Sequence, residues 1–132
     1  LYLDAKTHTY VEEFATSNFI GIKPDGTYVT PDSRSVLPSV TNDTLRQLAQ
    51  DFGMKVETRP VPFDELSSFS EIAACGTAVV VTPVYEIVRG STVIHVGSPD
   101  RCGPVVQKLF DAVQDIQYGR RPDTHGWCVP LD

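Results

Sequence analysis

Hydrophobic and polar positions along this chain change period several times, and each change marks an element. LYLD reads as a short strand and KTHT as a turn, followed by YVEEFATSNFIGI, an extended run rich in β-branched and aromatic residues. Asp25-Gly26 predicts a hairpin between NFIGI and TYVTP. The period then lengthens. After LPSV, the residues Leu45, Leu48, Ala49 and Phe52 form the apolar face of a helix of about ten residues, with Gly53 as its stop. MKVETRPV returns to strand, and PFDELSSF is a short helix opened by Pro62. Glu71 to Cys75 and Ala78 to Val88 read as two strands separated by Gly76-Thr77, and Arg89-Gly90 turns the chain into STVIHVG. Pro104 opens the last helix, on which Val105, Val106, Leu109, Phe110, Val113 and Ile116 keep helical spacing up to Gly119. A polar tail, RRPDTHGWCVPLD, follows. With no internal repeat and no linker, the pattern describes one mixed α and β unit.

Composition narrows the classes of function. A chain of 132 residues with 41% hydrophobic and 21% charged residues has the makings of one globular domain with a real core. A net charge of −6 argues against a nucleic-acid backbone as partner, which calls for a basic face. The longest apolar run, AVVVTPV, is strand-sized and argues against a membrane span. LYLDAKTHTY carries no signal or transit pattern and no initiator Met, so a piece of a longer protein is expected. Cys75, Cys102 and Cys128 are odd in number and lack CxxC spacing, which suggests a reducing compartment. Asn42-Asp43-Thr44 fits the glycosylation triplet but has no secretory context. His8, His95, His125 and the cysteines show no metal-ligand spacing, and no metal is expected.

Three stretches could carry chemistry. In VLPSVTNDTLRQLA, small hydrogen-bonding groups crowd a helix mouth, where the first amides lack intrahelical partners and the dipole adds positive charge. That suits a phosphate, with Thr41 beside it; equally, Thr41 caps its own helix. At CGTA, residues 75–78, a small corner between apolar strands offers backbone amides and one hydroxyl to a phosphate or carboxylate, or is an ordinary strand connection. In VEEFATSNF, the adjacent Glu12 and Glu13 point to opposite faces of a strand. At most one faces the core and needs a partner there; otherwise both lie at a solvated edge.

In this order and at comparable spacing, these pieces resemble the class IV pyridoxal-phosphate aminotransferases, most closely the branched-chain amino acid aminotransferases. EFATSNF is similar to the family's E-V-G-T-M-N segment, and LPSVTNDTLRQLA to L-P-G-V-T-R. ACGTAVVVTPV is similar to the G-T-A strand pair, and CGPVVQKLFDAVQDIQYG to the final G-P helix with its I-Q end. The HGW tail suits the branched-chain group. The resemblance runs over nearly the whole chain and implies the C-terminal large domain of that fold, a pseudo-barrel sheet with outer helices. It also implies pyridoxal 5'-phosphate as cofactor and a homodimer.

It implies roles as well. Counting back five residues from Asn18 selects Glu13 over Glu12 as partner of the cofactor's pyridine nitrogen. Val40 and Thr41 would hold the phosphate, completed by the Thr77 hydroxyl. The amides of Thr77 and Ala78 would receive the substrate carboxylate, and Ala15 and Thr16 would line the cofactor or substrate face. The family's Schiff-base lysine is expected upstream of residue 1, since Lys6, Lys23, Lys55 and Lys108 match no such position. The catalytic amine is thus expected outside this chain, with the rest of the large domain and the small domain. The chain alone is then inactive.

The full protein is expected to pass the amino group of a branched-chain L-amino acid to 2-oxoglutarate, inside the cell, in cytoplasm or mitochondria. Alternatives on the same fold are a D-amino acid or (R)-amine transaminase and an aminodeoxychorismate lyase. From another class, a non-catalytic module lacking the lysine fits too. Ser39 for the usual Gly, Asn42 for the usual Arg, and Ala73-Ala74 for Phe-Gly bear on donor preference.

Overall fold

The computed structural model describes residues 1–131. β1 (Glu13–Phe14) turns back at Ala15 and Thr16 into β2 (Ser17–Ile22), and Asp25-Gly26 turns β2 into β3 (Tyr28–Pro31). Gly26 has φ 87°, a conformation glycine adopts without penalty, and the hairpin expected there is present. Helix α1 (Val40–Asp51) leads to β4 (Val56–Arg59), which pairs parallel with β3. A parallel pair requires such a crossover. A single 3-10 segment (Phe63–Ser68) then precedes β5 (Glu71–Gly76) and β6 (Val80–Pro83). The main sheet runs β4-β3-β2-β5-β6, with β1 also on β2. β7 (Glu86–Arg89) and β8 (Thr92–His95) form a separate hairpin, and helix α2 (Pro104–Gln117) closes the domain.

Alternation along β2 divides the core. Ile20 and Ile22 face one way and join Tyr28, Leu45, Leu48, Ala73, Cys75, Val106 and Leu109 between sheet and helices. Phe19 faces the other way, with Val29, Phe63, Leu66, Phe69 and Ile72. Gly21 sits under Phe69, where a Cβ would stand 2.8 Å from the ring.

Three segments depart from the expected pattern. YVEEFATSNFIGI is a tight hairpin, because Glu13 and Phe14 pair back onto Asn18 and Ser17. LYLD forms no full strand but pairs antiparallel with residues 10–13: Leu3 bridges Val11, Tyr2 exchanges backbone bonds with Glu12 and Glu13, and Asp4 donates to Tyr10. Ala78 to Val88 splits between two sheets: β6 begins at Val80 and ends at Pro83, which has no amide to continue a ladder. Helix α1 is 12 residues long, with Phe52 as its C-cap and Gly53 at φ 75° beyond it.

The cysteines are free thiols, and burial pushes Cys75 up to about 12. Among the described residues no helix is long and apolar enough to cross a membrane.

Arg59 ties β4 to the 3-10 segment. It donates to Glu57 at 2.7 Å and to both carboxylate oxygens of Glu65, at 2.9 and 2.5 Å. These bonds hold both carboxyls below their ordinary value of 4.5. A lowered folded value means stability that is present at neutral pH and lost as pH falls from 4.5 through the folded values. Arg59→Gln should therefore flatten the loss of stability between pH 6 and pH 3 (about the range in which carboxylates protonate). Urea unfolding midpoints across that range check this, and parallel curves for both proteins would contradict it.

Candidate functional site

The mouths of the two helices are treated in opposite ways. At α2, Pro104 occupies the first position, and the carboxylate of Glu71 takes the next two amides, Val105 at 3.0 Å and Val106 at 2.8 Å. A Cβ at Gly103 would collide with that carboxylate. This mouth is filled by the protein's own anion.

At α1 the cap is Ser39, not Thr41, because the chain turns helical at Val40. The Ser39 hydroxyl accepts from the Asn42 amide at 3.1 Å and its carbonyl from Asp43 at 3.0 Å. Among the described residues the amides of Val40 and Thr41 find no acceptor. Val40 is 84% exposed. This mouth is open, with two amides and the helix dipole presented to an incoming anion.

The loop leading into α1 is held by the β1–β2 hairpin. Glu13 and Asn18 are cross-strand partners, so both side chains rise on the same side of the sheet. Both reach Leu37: Glu13 Oε2 accepts its amide at 3.2 Å, and Asn18 Nδ2 donates to its carbonyl at 2.8 Å. The second carboxylate oxygen of Glu13, Oε1, accepts nothing among the described residues. Glu12 goes elsewhere, accepting from the Ser33 hydroxyl at 3.0 Å.

Across β2, Asn18 pairs with Cys75, so Glu13, Asn18 and Cys75 form one row over three strands. Just past that row the CGTA corner meets the β1–β2 turn. Thr16, Ser17, Gly76, Thr77 and Ala78 line a cavity of about 210 Å³. The corner is tight: Val81 donates to the Val79 carbonyl at 2.8 Å across Val80, whose φ is 63°. That is a γ-turn in the strained, positive-φ form, uncommon for a β-branched residue. Thr77 and Ala78 are exposed, and no hydrogen bond within the described residues uses their amides or the Thr77 hydroxyl.

The structure thus gathers the three stretches at one end of the sheet, while each expected residue has its own place. Thr16, Thr77 and Ala78 share the corner cavity; Ala15 is exposed at the turn beside it. Glu13 reaches the α1 loop, and Thr41 is half-buried at the helix mouth. Val40 lines a different cavity, of about 540 Å³, between α1, α2 and residues His125 to Cys128. That tail is organised by Asp123, which accepts from the amides of His125 and Cys128. His125 stacks on Trp127 and bonds Asp51 at 2.6 Å.

Reasoning from sequence missed Ser39 as the cap, and missed Tyr28 and Thr30 altogether. Ser39 was within reach, since a Ser directly before a helix is the commonest kind of cap. Tyr28 and Thr30 gave no local signal. They matter because Asn42, expected to bear on donor preference, turns inward and bonds both of them.

A family model described as amino-transferase class IV matches residues 2–87. An aminotransferase of Penicillium oxalicum, poxL, is 42% identical over 99% of this chain and 38% of its own length. The branched-chain-amino-acid aminotransferase of Haemophilus influenzae is 40% identical over the whole of this chain and 39% of its own. The branched-chain amino acid aminotransferase of T.th., solved in complex with N-(5'-phosphopyridoxyl)-L-glutamate, superposes with a TM-score of 0.79 at 28% identity. That match covers 96% of this chain and 40% of the other. The chain therefore spans about two fifths of the length of the relatives it matches.

Proposed function

This chain belongs to the class IV amino-transferases, and we propose that it forms most of the cofactor-binding domain of a branched-chain amino acid aminotransferase. The complete protein would move the amino group of a branched-chain L-amino acid to 2-oxoglutarate. The observation that carries this reading is the open mouth of α1, with two amides unpartnered among the described residues, at the end of a loop whose Leu37 amide is held by Glu13.

These residues fit pyridoxal 5'-phosphate. The amides of Val40 and Thr41 would take the phosphate, with the hydroxyls of Thr41 and Thr77 in support. The bond from Leu37 orients Glu13 and leaves Oε1 to receive a protonated ring nitrogen. Thr77 and Ala78 would give their amides to the substrate carboxylate, and Ala15 and Thr16 would line that face. When bound, the cofactor supplies an electron sink that stabilises charge at the substrate's α-carbon as its proton leaves. Glu13 keeps the proton on the ring nitrogen by placing a full negative charge against it. The corner at Thr77 fixes the carboxylate, and with it the direction of the α-carbon.

The amine that binds the cofactor covalently would come from outside these residues. Lys23 and Lys55 reach Glu57, and Lys108 lies over the Phe52 ring. Part of the large domain, the small domain and a second subunit would complete the site, and the free cysteines suit a cytoplasmic or mitochondrial location.

The test is keto-acid product profiling of the complete protein with 2-oxoglutarate. Leucine should outrun D-alanine and an aryl amine by at least about tenfold, the discrimination a few buried contacts provide. Preference for either of the others, or lyase activity on aminodeoxychorismate, would replace the donor class. No amino transfer from any donor would leave a non-catalytic module.

A further inference from the structure

We infer that Asn42, held by Tyr28 and Thr30, is the positioning residue that sets the phosphate-binding amides of α1 against the sheet. The inference rests on the proposed phosphate role of Val40 and Thr41, and it assigns a task to three residues outside that contact set.

Asn42 is the third residue of α1, and its side chain points into the domain. Its Oδ1 accepts from the Tyr28 hydroxyl at 2.6 Å, and its Nδ2 donates to Thr30 Oγ1 at 2.9 Å. Thr30 Oγ1 donates in turn to the Phe19 carbonyl at 3.0 Å. Tyr28 is 0% exposed, Thr30 2% and Asn42 9%, so the whole relay runs through the core. Burial pushes the Tyr28 phenol well above its ordinary value, so it stays a donor at working pH.

The helix does not need this relay merely to stay attached. Leu45, Leu48 and Ala49 already bury α1 against the sheet. Apolar contact is non-directional, and it leaves small rotations and slides of a helix nearly isoenergetic. A buried polar relay is different: each atom must find its partner or lose the full cost of leaving water. Asn42 uses an acceptor on one end and a donor on the other, so only one orientation satisfies Tyr28 and Thr30 together. The position of the first turn is thereby locked to β3 and, through Phe19, to β2. On the other side, Glu13 and Asn18 clamp Leu37. The amides of Val40 and Thr41 fall between these two clamps, which is where sub-ångström placement decides whether both can reach one phosphate.

The experiment compares pyridoxal 5'-phosphate with pyridoxal, which lacks the phosphate, by equilibrium titration of the complete apoprotein. Wild-type protein should bind the phosphorylated form far more tightly. In Tyr28→Phe and Asn42→Leu, affinity for pyridoxal 5'-phosphate should fall about tenfold, as loss of a buried hydrogen bond implies, with pyridoxal changed by less than about twofold. Leu109→Ala, a core truncation in α2, serves as the control. It should lower the melting temperature while preserving the wild-type preference between the ligands. Should Asn42→Leu fail to fold, Tyr28→Phe, which removes one oxygen, carries the test alone. An unchanged preference in Tyr28→Phe, or equal weakening of both ligands, overturns the positioning role and leaves the cofactor reading standing. A wild-type protein indifferent to the phosphate fails the cofactor reading itself, and the inference with it.

Discussion

Replacing Glu13 by glutamine in the complete protein should lower amino-transfer turnover by about 10²–10³-fold, the usual cost of removing one preorganised electrostatic partner. Glutamine is the informative change because the two jobs of Glu13 separate on its two oxygens. Oε2 holds the Leu37 amide, and an amide oxygen can do the same. Oε1 is proposed to face the ring nitrogen, where only a carboxylate carries the charge that keeps that nitrogen protonated. Glu13→Gln should thus preserve the melting temperature and the loop while turnover collapses and the cofactor's visible band moves. Glu13→Ala should lose turnover to a similar degree and also loosen residues 37–39, visible as faster amide exchange at Leu37. Wild-type turnover and an unaltered spectrum in Glu13→Gln would remove Glu13 from the mechanism.

A large stability effect is expected at Glu71. Its carboxylate is buried and satisfies two amides of α2 from a strand 34 residues earlier. Glu71→Ala would leave the buried Val106 amide and the part-buried Val105 amide with no protein acceptor and open a void against Gly103. We expect a loss of about 3 kcal/mol, since charge-assisted bonds and unsatisfied buried donors each cost on this scale. That corresponds to a drop of roughly 10 °C in melting temperature, read by calorimetry or fluorimetry. Glu71→Gln, which keeps one good acceptor, should recover part of the loss. An unchanged melting temperature in Glu71→Ala would mean that water takes over the cap at no cost.

The opposite fates of the two helix mouths explain why one is a candidate site and the other is not. Both helices begin after a loop, and both present amides and a dipole. At α2 the sheet supplies a carboxylate; at α1 it supplies only clamps on either side of the open amides. Of the two expectations for Thr41, phosphate partner or helix cap, the structure overturns the second. Ser39 is the cap, which leaves Thr41 at the mouth for another partner.

Much of this was readable from the residues in order. Asp25-Gly26 makes a hairpin wherever it sits between extended runs, because its turn needs a positive φ that glycine provides. The spacing of Leu45, Leu48 and Ala49, and of Val106, Leu109, Val113 and Ile116, makes two amphipathic helices for equally local reasons. Family membership was legible from four short motifs in the right order, and the match over residues 2–87 bears it out. What sequence could not supply were relations between distant residues. Nothing near Glu13 says that it and Asn18 share the peptide of Leu37, because the hairpin at Ala15-Thr16 reads as one extended strand. Nothing near Val80 announces a γ-turn. Asn42 read as a departure from the family pattern that bears on donor preference until folding placed Tyr28 and Thr30 beneath it. Periodicity and turn chemistry are properties of neighbours along the chain, and those the sequence determined by itself. Which buried polar group satisfies which, and therefore which helix mouth stays open, was decided only when the tertiary fold removed water from between them.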